Sequence, residues 1–336
     1  MTNDLNVLGL ETSCDDTCIS IFNNKDGIIS EYIFTQKIHF IYGGTVPELA
    51  SRDHLNKIFN IILFVLKKKS IKINNLKGIA YTKGPGLKGP LLIGAGVAKS
   101  LSIFLNIPSV GVNHLEAHFI ISFIFNLKLK IPSLVLLISG AHTLLLKMNA
   151  YNKFVFIGDS LDDGVGETFD KVARLLNLSP ANGISIEKNI KYKIKYNNLK
   201  LGLTLKKSHS YNFSFSGLKS EILRFKNKTI NIDKENLIYN FQNVIINILL
   251  SKCRSYLYKD TSIESLTLSG GVSANKEIRL AFNNLAEEFN LTLNIVPKQY
   301  CTDNASMIAF LGFLKLYDNI FDIILNIEVE PTLRLK

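Results

Sequence analysis

Twice along this chain a short apolar run passes through a small polar turn into a second apolar run, and this repeated pattern constrains the fold more than any other feature. The first copy is Val7–Leu10, the turn Glu11-Thr12-Ser13-Cys14-Asp15-Asp16-Thr17, and Cys18–Phe22. The second is Leu134–Ile138, the turn Ser139-Gly140-Ala141-His142-Thr143, and Leu144–Met148. Each reads as strand–loop–strand, and the residues after each copy alternate helical with β-rich runs, a pattern that predicts an α/β architecture. Pro47, tolerated in a first helical turn, opens a helix to about Lys67. Strand Gly78–Tyr81, the turn Gly84-Pro85-Gly86 and a helix from about Gly89 to Leu105 come next. Strand Ser109–Val112 then leads into a helix carrying His114 and His118. In the second half, Ser265–Leu268 runs into Ser269-Gly270-Gly271-Val272-Ser273-Ala274-Asn275 and a helix to about Phe289. Leu291–Val296 reads as a strand, and Asp303 as the start of a last long helix.

The 336 residues suffice for two domains with developed cores. Apolar runs such as Phe59–Leu66 and Phe119–Phe125 fall short of the ~20 residues of a membrane span, and no signal peptide is apparent, so a cytoplasmic protein without a membrane partner is expected. Cys14, Cys18, Cys253 and Cys301 show no metal-ligand spacing and are expected as free thiols. The formal net charge is +11. Between Lys188 and Lys228 eleven basic residues face one acid, Glu221, with Tyr192, Tyr196 and Tyr211 interleaved. Such a segment can neutralise phosphates and stack bases. It can equally be the surface of a chain rich in Lys, Asn and Ile.

Both hairpin turns can offer backbone N–H groups to phosphate oxygens, although ordinary hairpins look the same. Ser269-Gly270-Gly271 ahead of a helix places a glycine turn where the helix dipole favours an anion; Ser273 or Asn275 can also simply cap that helix. His114-Leu115-Glu116-Ala117-His118 sets two imidazoles at i and i+4, on one helical face, where a transition metal can be held with a carboxylate. A zinc peptidase would need H-E-x-x-H, but Leu115 occupies the glutamate slot. Glu116 lies roughly 200° around the helix from His114 at about 3.6 residues per turn. Asp303 is either an N-cap or a third ligand, and spacing does not choose. Asp162, Asp163, Glu167 and Asp170 cluster around Gly164 and Gly166, with Glu167 and Asp170 placed to face a cleft together or to be solvated.

Taken together these stretches resemble the TsaD/Gcp family of tRNA adenosine threonylcarbamoyltransferases, formerly labelled O-sialoglycoprotein endopeptidases. The likeness is carried by Gly9–Thr17, Gly43–His54, Gly84–Leu87, His114–His118, Ser139–Thr143, Asp162–Lys171, Phe213–Lys219, Ser269–Asn275 and Cys301–Asn304. It implies a two-lobed actin-like ATPase fold (sugar kinase, heat-shock chaperone, actin) with mixed sheets flanked by helices and a central nucleotide cleft. The expected lobes are 1–130 and 131–302, with a C-terminal helix in 303–336 packing back on the first. It further implies one divalent metal, Fe(2+) first and Zn(2+) second, on His114, His118 and Asp303. Threonylcarbamoyl-AMP would lie against Leu137, Ile138, Ser139, Gly140 and Ala141, its adenosine held by Asp170, Gly183, Glu187 and Asn275. The product would be t6A at position 37 of tRNAs reading ANN codons, made with TsaB-like and TsaE-like partners. Asp15 is a candidate to accept or orient the proton of the attacking amine.

Three positions depart from the family pattern: Ala141 stands for a glycine, Asn182-Gly183-Ile184 for Gly-Gly-Pro, and Pro90 for a small residue. A non-catalytic relative would lack the histidine pair, and a kinase of the same superfamily would use Mg²⁺ with carboxylates and water.

Overall fold

A computed structural model describes residues 4–42, 44–126, 130–190, 210–228, 234–323 and 325–335. The chain forms two compact units, Met1–Phe125 with Asp303–Lys336, and Asn126–Thr302. The first contains strands β1 (Asn6–Glu11), β2 (Asp16–Asn23), β3 (Gly27–Thr35), β4 (Leu76–Gly84) and β5 (Ser109–Asn113), with helices α1 (Pro47–Lys68), α2 (Lys88–Leu105), α3 (His114–Ile120) and α4 (Ser122–Phe125). The second contains β6 (Ser133–Ile138), β7 (Thr143–Ala150), β8 (Lys153–Asp159), β9 (Ser265–Ser269) and β10 (Thr292–Ile295), with α5 (Val165–Leu175), α6 (Gly183–Lys188), α7 (Ser216–Lys228), α8 (Lys234–Lys259) and α9 (Lys276–Glu288). Helix α10 (Ala305–Tyr317) belongs to the first unit.

The two sheets repeat one topology. Their strand orders are β3-β2-β1-β4-β5 and β8-β7-β6-β9-β10. In each, three strands form an antiparallel meander and two more join in parallel through helical crossovers. All six residues of β6 are buried, the continuous apolar pattern of a strand covered on both faces.

Helix α2 departs from the expectation that no segment reaches membrane-spanning length: its 18 residues are long and apolar enough by length and composition. That apolarity serves packing, since Ala95, Val97 and Ala98 join Ile58, Ile62, Ile79 and Tyr81 in the core of the first unit. Helix α10 starts at Ala305 rather than Asp303; Asn304 is its cap, accepting from the Met307 N–H at 2.9 Å. Asp303 is thereby left outside the helix.

Helix α10 lies directly on β1. A Cβ at Gly9 would stand 2.4 Å from the Ala305 carbonyl oxygen and 2.7 Å from the Ala309 nitrogen, both backbone atoms that cannot yield without moving the helix. Gly9→Val is therefore expected to destabilise the protein by about 1–3 kcal/mol. A lower urea midpoint at unchanged m value is the readout; parental stability would show that the helix is not seated there.

Candidate functional site

Strand β5 runs straight into α3, and Asn113 at the junction caps the helix by accepting from the Leu115 N–H (2.9 Å) and the Glu116 N–H (3.3 Å). With the helix started there, its period brings His114 and His118 together, rings perpendicular and 4.7 Å apart. Their Nε2 atoms are 3.2 Å apart. Asp303 Oδ1 lies 3.3 Å from His114 Nε2 and 3.2 Å from His118 Nε2. Ligands bound at about 2.0–2.2 Å sit about 2.8–3.6 Å from one another in tetrahedral or octahedral shells, so this spacing fits donors around one cation. Two imidazoles and a carboxylate also suit Fe(2+) or Zn(2+) by ligand type. These residues fit a metal.

The cluster is strongly coupled. Burial opposes ionisation of Asp303, but the charge and hydrogen bonds of His114 and His118 outweigh it and hold this carboxyl well below the usual range. Burial likewise opposes charge on His114, yet Glu11 and Asp303 raise its pKa well above the ordinary imidazole value. Burial pulls His118 down, and the neighbouring His114 charge adds to that.

Motif spacing gave no role to several neighbours. Glu11, at the end of β1, lies 2.9 Å from His114 Nδ1 through Oε2 and is buried. His54 fixes the hairpin turn: its Nε2 lies 3.0 Å from the Cys14 carbonyl, which can only accept, so Nδ1 accepts from Thr17 Oγ1 at 2.7 Å. Glu11 and His54 both lie in stretches that carry the resemblance, but it is their burial, invisible in sequence, that gives them a role. Asp15 lies half-buried in that turn, and burial pushes the adjacent Asp16 carboxyl up to about 6. Glu116 points away from the histidines, 3.6 Å from Lys315 of α10. All four cysteines are free.

In the second unit a cavity of about 290 Å³ is lined by Gly140, Gly166, Phe169, Asp170, Gly183, Ile184, Glu187, Gly271, Val272, Ala274, Asn275 and Thr302, close to the smaller sites used for metabolites, about 300 Å³. Five expected substrate residues line it: Gly140, Asp170, Gly183, Glu187 and Asn275. Leu137 and Ile138 are wholly buried in β6 and do not line it; Ser139 and Ala141 flank Gly140 without lining it. Ala141 is exposed, so its additional methyl stays out of the cavity.

The polar side chains of this cavity are partly committed to the protein. Asp170 Oδ1 accepts from the Gly183 N–H at 3.0 Å, and burial raises its pKa against that bond. Asn275 does cap α9, accepting from Glu277 and Ile278 N–H at 3.0 and 3.1 Å while its Nδ2 donates to Gln242. Glu187 accepts from the Lys276 N–H at 3.2 Å. Gly270 turns the chain at φ +88°, where a Cβ would stand 2.5 Å from the Ile138 carbonyl oxygen.

The acidic group does not act as one. Asp162 accepts from Ser214, Phe215 and Ser216. Asp163 pairs with Lys171 and Lys219, and Glu167 with Lys171. Of Glu167 and Asp170, only Asp170 lines the cavity.

In the basic segment, Lys191, Lys193, Lys195, Lys200, Lys206, Lys207, Tyr192 and Tyr196 lie outside the described residues, as do Gly43 and the Lys228 side chain. Lys226 donates to the Leu175 carbonyl, and Tyr211 packs on Tyr256.

A profile of the family described as tRNA N6-adenosine threonylcarbamoyltransferase matches residues 27–310. The chain belongs to that family. A threonylcarbamoyltransferase from Thermosipho melanesiensis is 40% identical over 330 residues, covering 98% of this chain and 99% of the relative. One from Buchnera aphidicola is 37% identical over 328 residues, covering 97% and 96%. Solved structures show the fold alone: HypF of T. kodakarensis aligns with a TM-score of 0.60 at 14% identity over 94% of this chain and 48% of its own. Component A of the Acidaminococcus fermentans (R)-2-hydroxyglutaryl-CoA dehydratase aligns at 0.57 and 14%, over 93% and 99%. The fold is the actin-like one, and the chain is an enzyme of a transferase family.

If the trio of this threonylcarbamoyltransferase-family member holds the ion, His118→Ala purified in parallel with the parent will carry little iron or zinc by elemental analysis while keeping its circular dichroism. Equal metal content in the two proteins would remove the trio from consideration.

Proposed function

We propose that this chain transfers the threonylcarbamoyl group of threonylcarbamoyl-AMP to N6 of adenosine 37 in tRNAs reading ANN codons, forming t6A and releasing AMP in the cytoplasm. The observation that carries the reading is the convergence of His114, His118 and Asp303 on one point, in a chain of this family. These three residues hold one divalent metal, Fe(2+) in preference to Zn(2+). When bound, the metal supplies Lewis-acid polarisation of a substrate oxygen.

The rest is a task for the protein's own groups. A carbamoyl-adenylate is a mixed anhydride whose leaving group is already good, so no protein nucleophile is needed. The weakly nucleophilic exocyclic amine of adenosine must be held in line, a matter of placement. Asp170, Gly183, Glu187 and Asn275 line the cavity assigned to the adenosine of the donor. The oxygen of Asp170 not given to Gly183 is the natural acceptor there. In the β6–β7 turn, the residues around Gly140 lie against the acyl-phosphate, with Leu137 and Ile138 contributing backbone only. Asp15 accepts or orients the amine proton. The basic segment within 188–228 forms part of the tRNA footprint, and TsaB-like and TsaE-like proteins are the partners.

Purified protein given threonylcarbamoyl-AMP and unmodified tRNA, with those partners, is expected to produce t6A detectable by nucleoside mass spectrometry. Asp170→Asn is expected to weaken donor binding by roughly 10- to 100-fold, the worth of a hydrogen bond to a charged group, with t6A still forming at saturating donor. A wild-type preparation loaded with metal that leaves tRNA unmodified would rule the activity out.

A further inference from the structure

The two histidines of the trio are not equivalent, and the difference comes from the strand behind them. Glu11 ends β1 almost fully buried, 1% exposed. Both of its carboxylate oxygens are occupied. Oε1 accepts from the Ser13 N–H at 2.5 Å, and Oε2 accepts from Thr82 Oγ1 at 2.6 Å while lying 2.9 Å from His114 Nδ1. A carboxylate surrounded by donors can only accept, so Nδ1 of His114 carries a proton. A cation that takes the place of the proton on Nε2 then meets the lone pair of that atom, the one facing His118 and Asp303. Glu11 cannot itself reach the cation point, because it engages the opposite edge of the imidazole. His118 lacks such a partner: its Nδ1 is buried with no hydrogen bond among the described residues.

We propose that Glu11, braced by Thr82 and Ser13, is a positioning residue of the metal centre that fixes the tautomer and tilt of His114, leaving His118 the weaker of the two imidazole ligands. The role rests on the reading that the trio holds a cation. Carboxylates behind metal-binding histidines raise ligand basicity and hold the ring, and their removal typically weakens metal binding about 10- to 100-fold. Here the brace extends from β1 to β4 through Thr82, so sheet geometry, rather than α3 alone, sets the direction of the His114 lone pair.

The experiment is titration of the metal-stripped full-length protein with Co²⁺ alone, followed by its visible absorption bands. Glu11→Gln, near-identical in shape, is expected to raise the Co²⁺ Kd about 10- to 100-fold and to shift the bands, with an unchanged melting temperature in the metal-free state. Thr82→Val leaves Glu11 in place but removes one brace, and is expected to weaken Co²⁺ binding in the same direction by less. It also decides the matter should Glu11→Gln fail to fold. With ¹⁵N-labelled histidine in the Zn²⁺-loaded protein, long-range proton–nitrogen spectra should show His114 protonated at Nδ1. Unchanged Kd and bands in the folded variants, or His114 protonated at Nε2, would overturn the role while leaving the trio intact. Failure of the parent protein to bind Co²⁺ would instead overturn the metal reading beneath it.

Discussion

Asp303 reaches the histidines across 185 residues of sequence from His118, and it does so because helix α10 is pinned to the sheet of the first unit at its own first turn. Three contacts do the pinning. Gly9 lets the backbone of α10 sit on β1 without an intervening side chain. Ser306 donates to Glu31 Oε1 through both its N–H (3.0 Å) and its hydroxyl (2.8 Å), and that hydroxyl also meets Ser20 Oγ at 2.9 Å. A carboxylate at a helix N-terminus is favoured by the dipole as well as by the free N–H groups. Asn304 accepts from the Met307 N–H. With its helix fixed at that end, Asp303 has little freedom left, and the carboxylate is presented to the imidazoles at the cost of very little further ordering.

Opposite charges meet in this cluster. Glu11 and Asp303 are both held ionised, His114 is held protonated between them, and His118 is held neutral. That sums to one net negative charge in a cluster whose histidines and Glu11 are buried and whose Asp303 side chain is partly exposed, so the charge is only partly screened by water. A divalent ion held there in place of the extra proton of His114 would bring the same four side chains to neutrality. If the trio holds a metal as proposed, its binding would release a proton, the usual linkage at sites built from histidine. The arrangement differs from a structural ion pair, which would need no second imidazole.

How much of this was legible in the sequence depends on whether the information was local. The two hairpins, the glycine turn before α9 and the shared face of His114 and His118 come from periodicities of two and 3.6, and they stand where the pattern put them. Spacing left Asp303 undecided between cap and ligand because the answer lies in how α10 packs, and Asn304 proved to be the cap. Glu11 lies in the Gly9–Thr17 stretch that carries the resemblance, but as an acid at the end of an apolar strand nothing local gives it a role. Asn275 shows the reverse problem. Its oxygen is used by the helix it starts, so a residue that lines a cavity can owe its identity to a cap. Strand β3, half exposed and without clean alternation, and helix α8, buried along much of its 26 residues, are not legible in the sequence because neither has a sharply two-sided pattern.

The common topology of the two sheets explains why different chemistry can occupy equivalent places. In each unit the first strand ends in a polar hairpin turn, and the fourth strand of the order ends in a glycine turn pressed against it. In the first unit a Cβ on Gly86 would stand 2.6 Å from the Ser13 carbonyl oxygen; in the second, one on Gly270 would stand 2.5 Å from that of Ile138. Both pairs lie at the carboxyl ends of the central strands, where open α/β sheets gather ligands because loops diverge there. In the first unit the helix after the fifth strand starts at once with His114, so that end is filled by the imidazoles of His114 and His118. In the second, glycines at 140, 166, 183 and 271 keep the corresponding end open as a cavity. One scaffold thus yields a cluster where side chains converge and a pocket where they are left out.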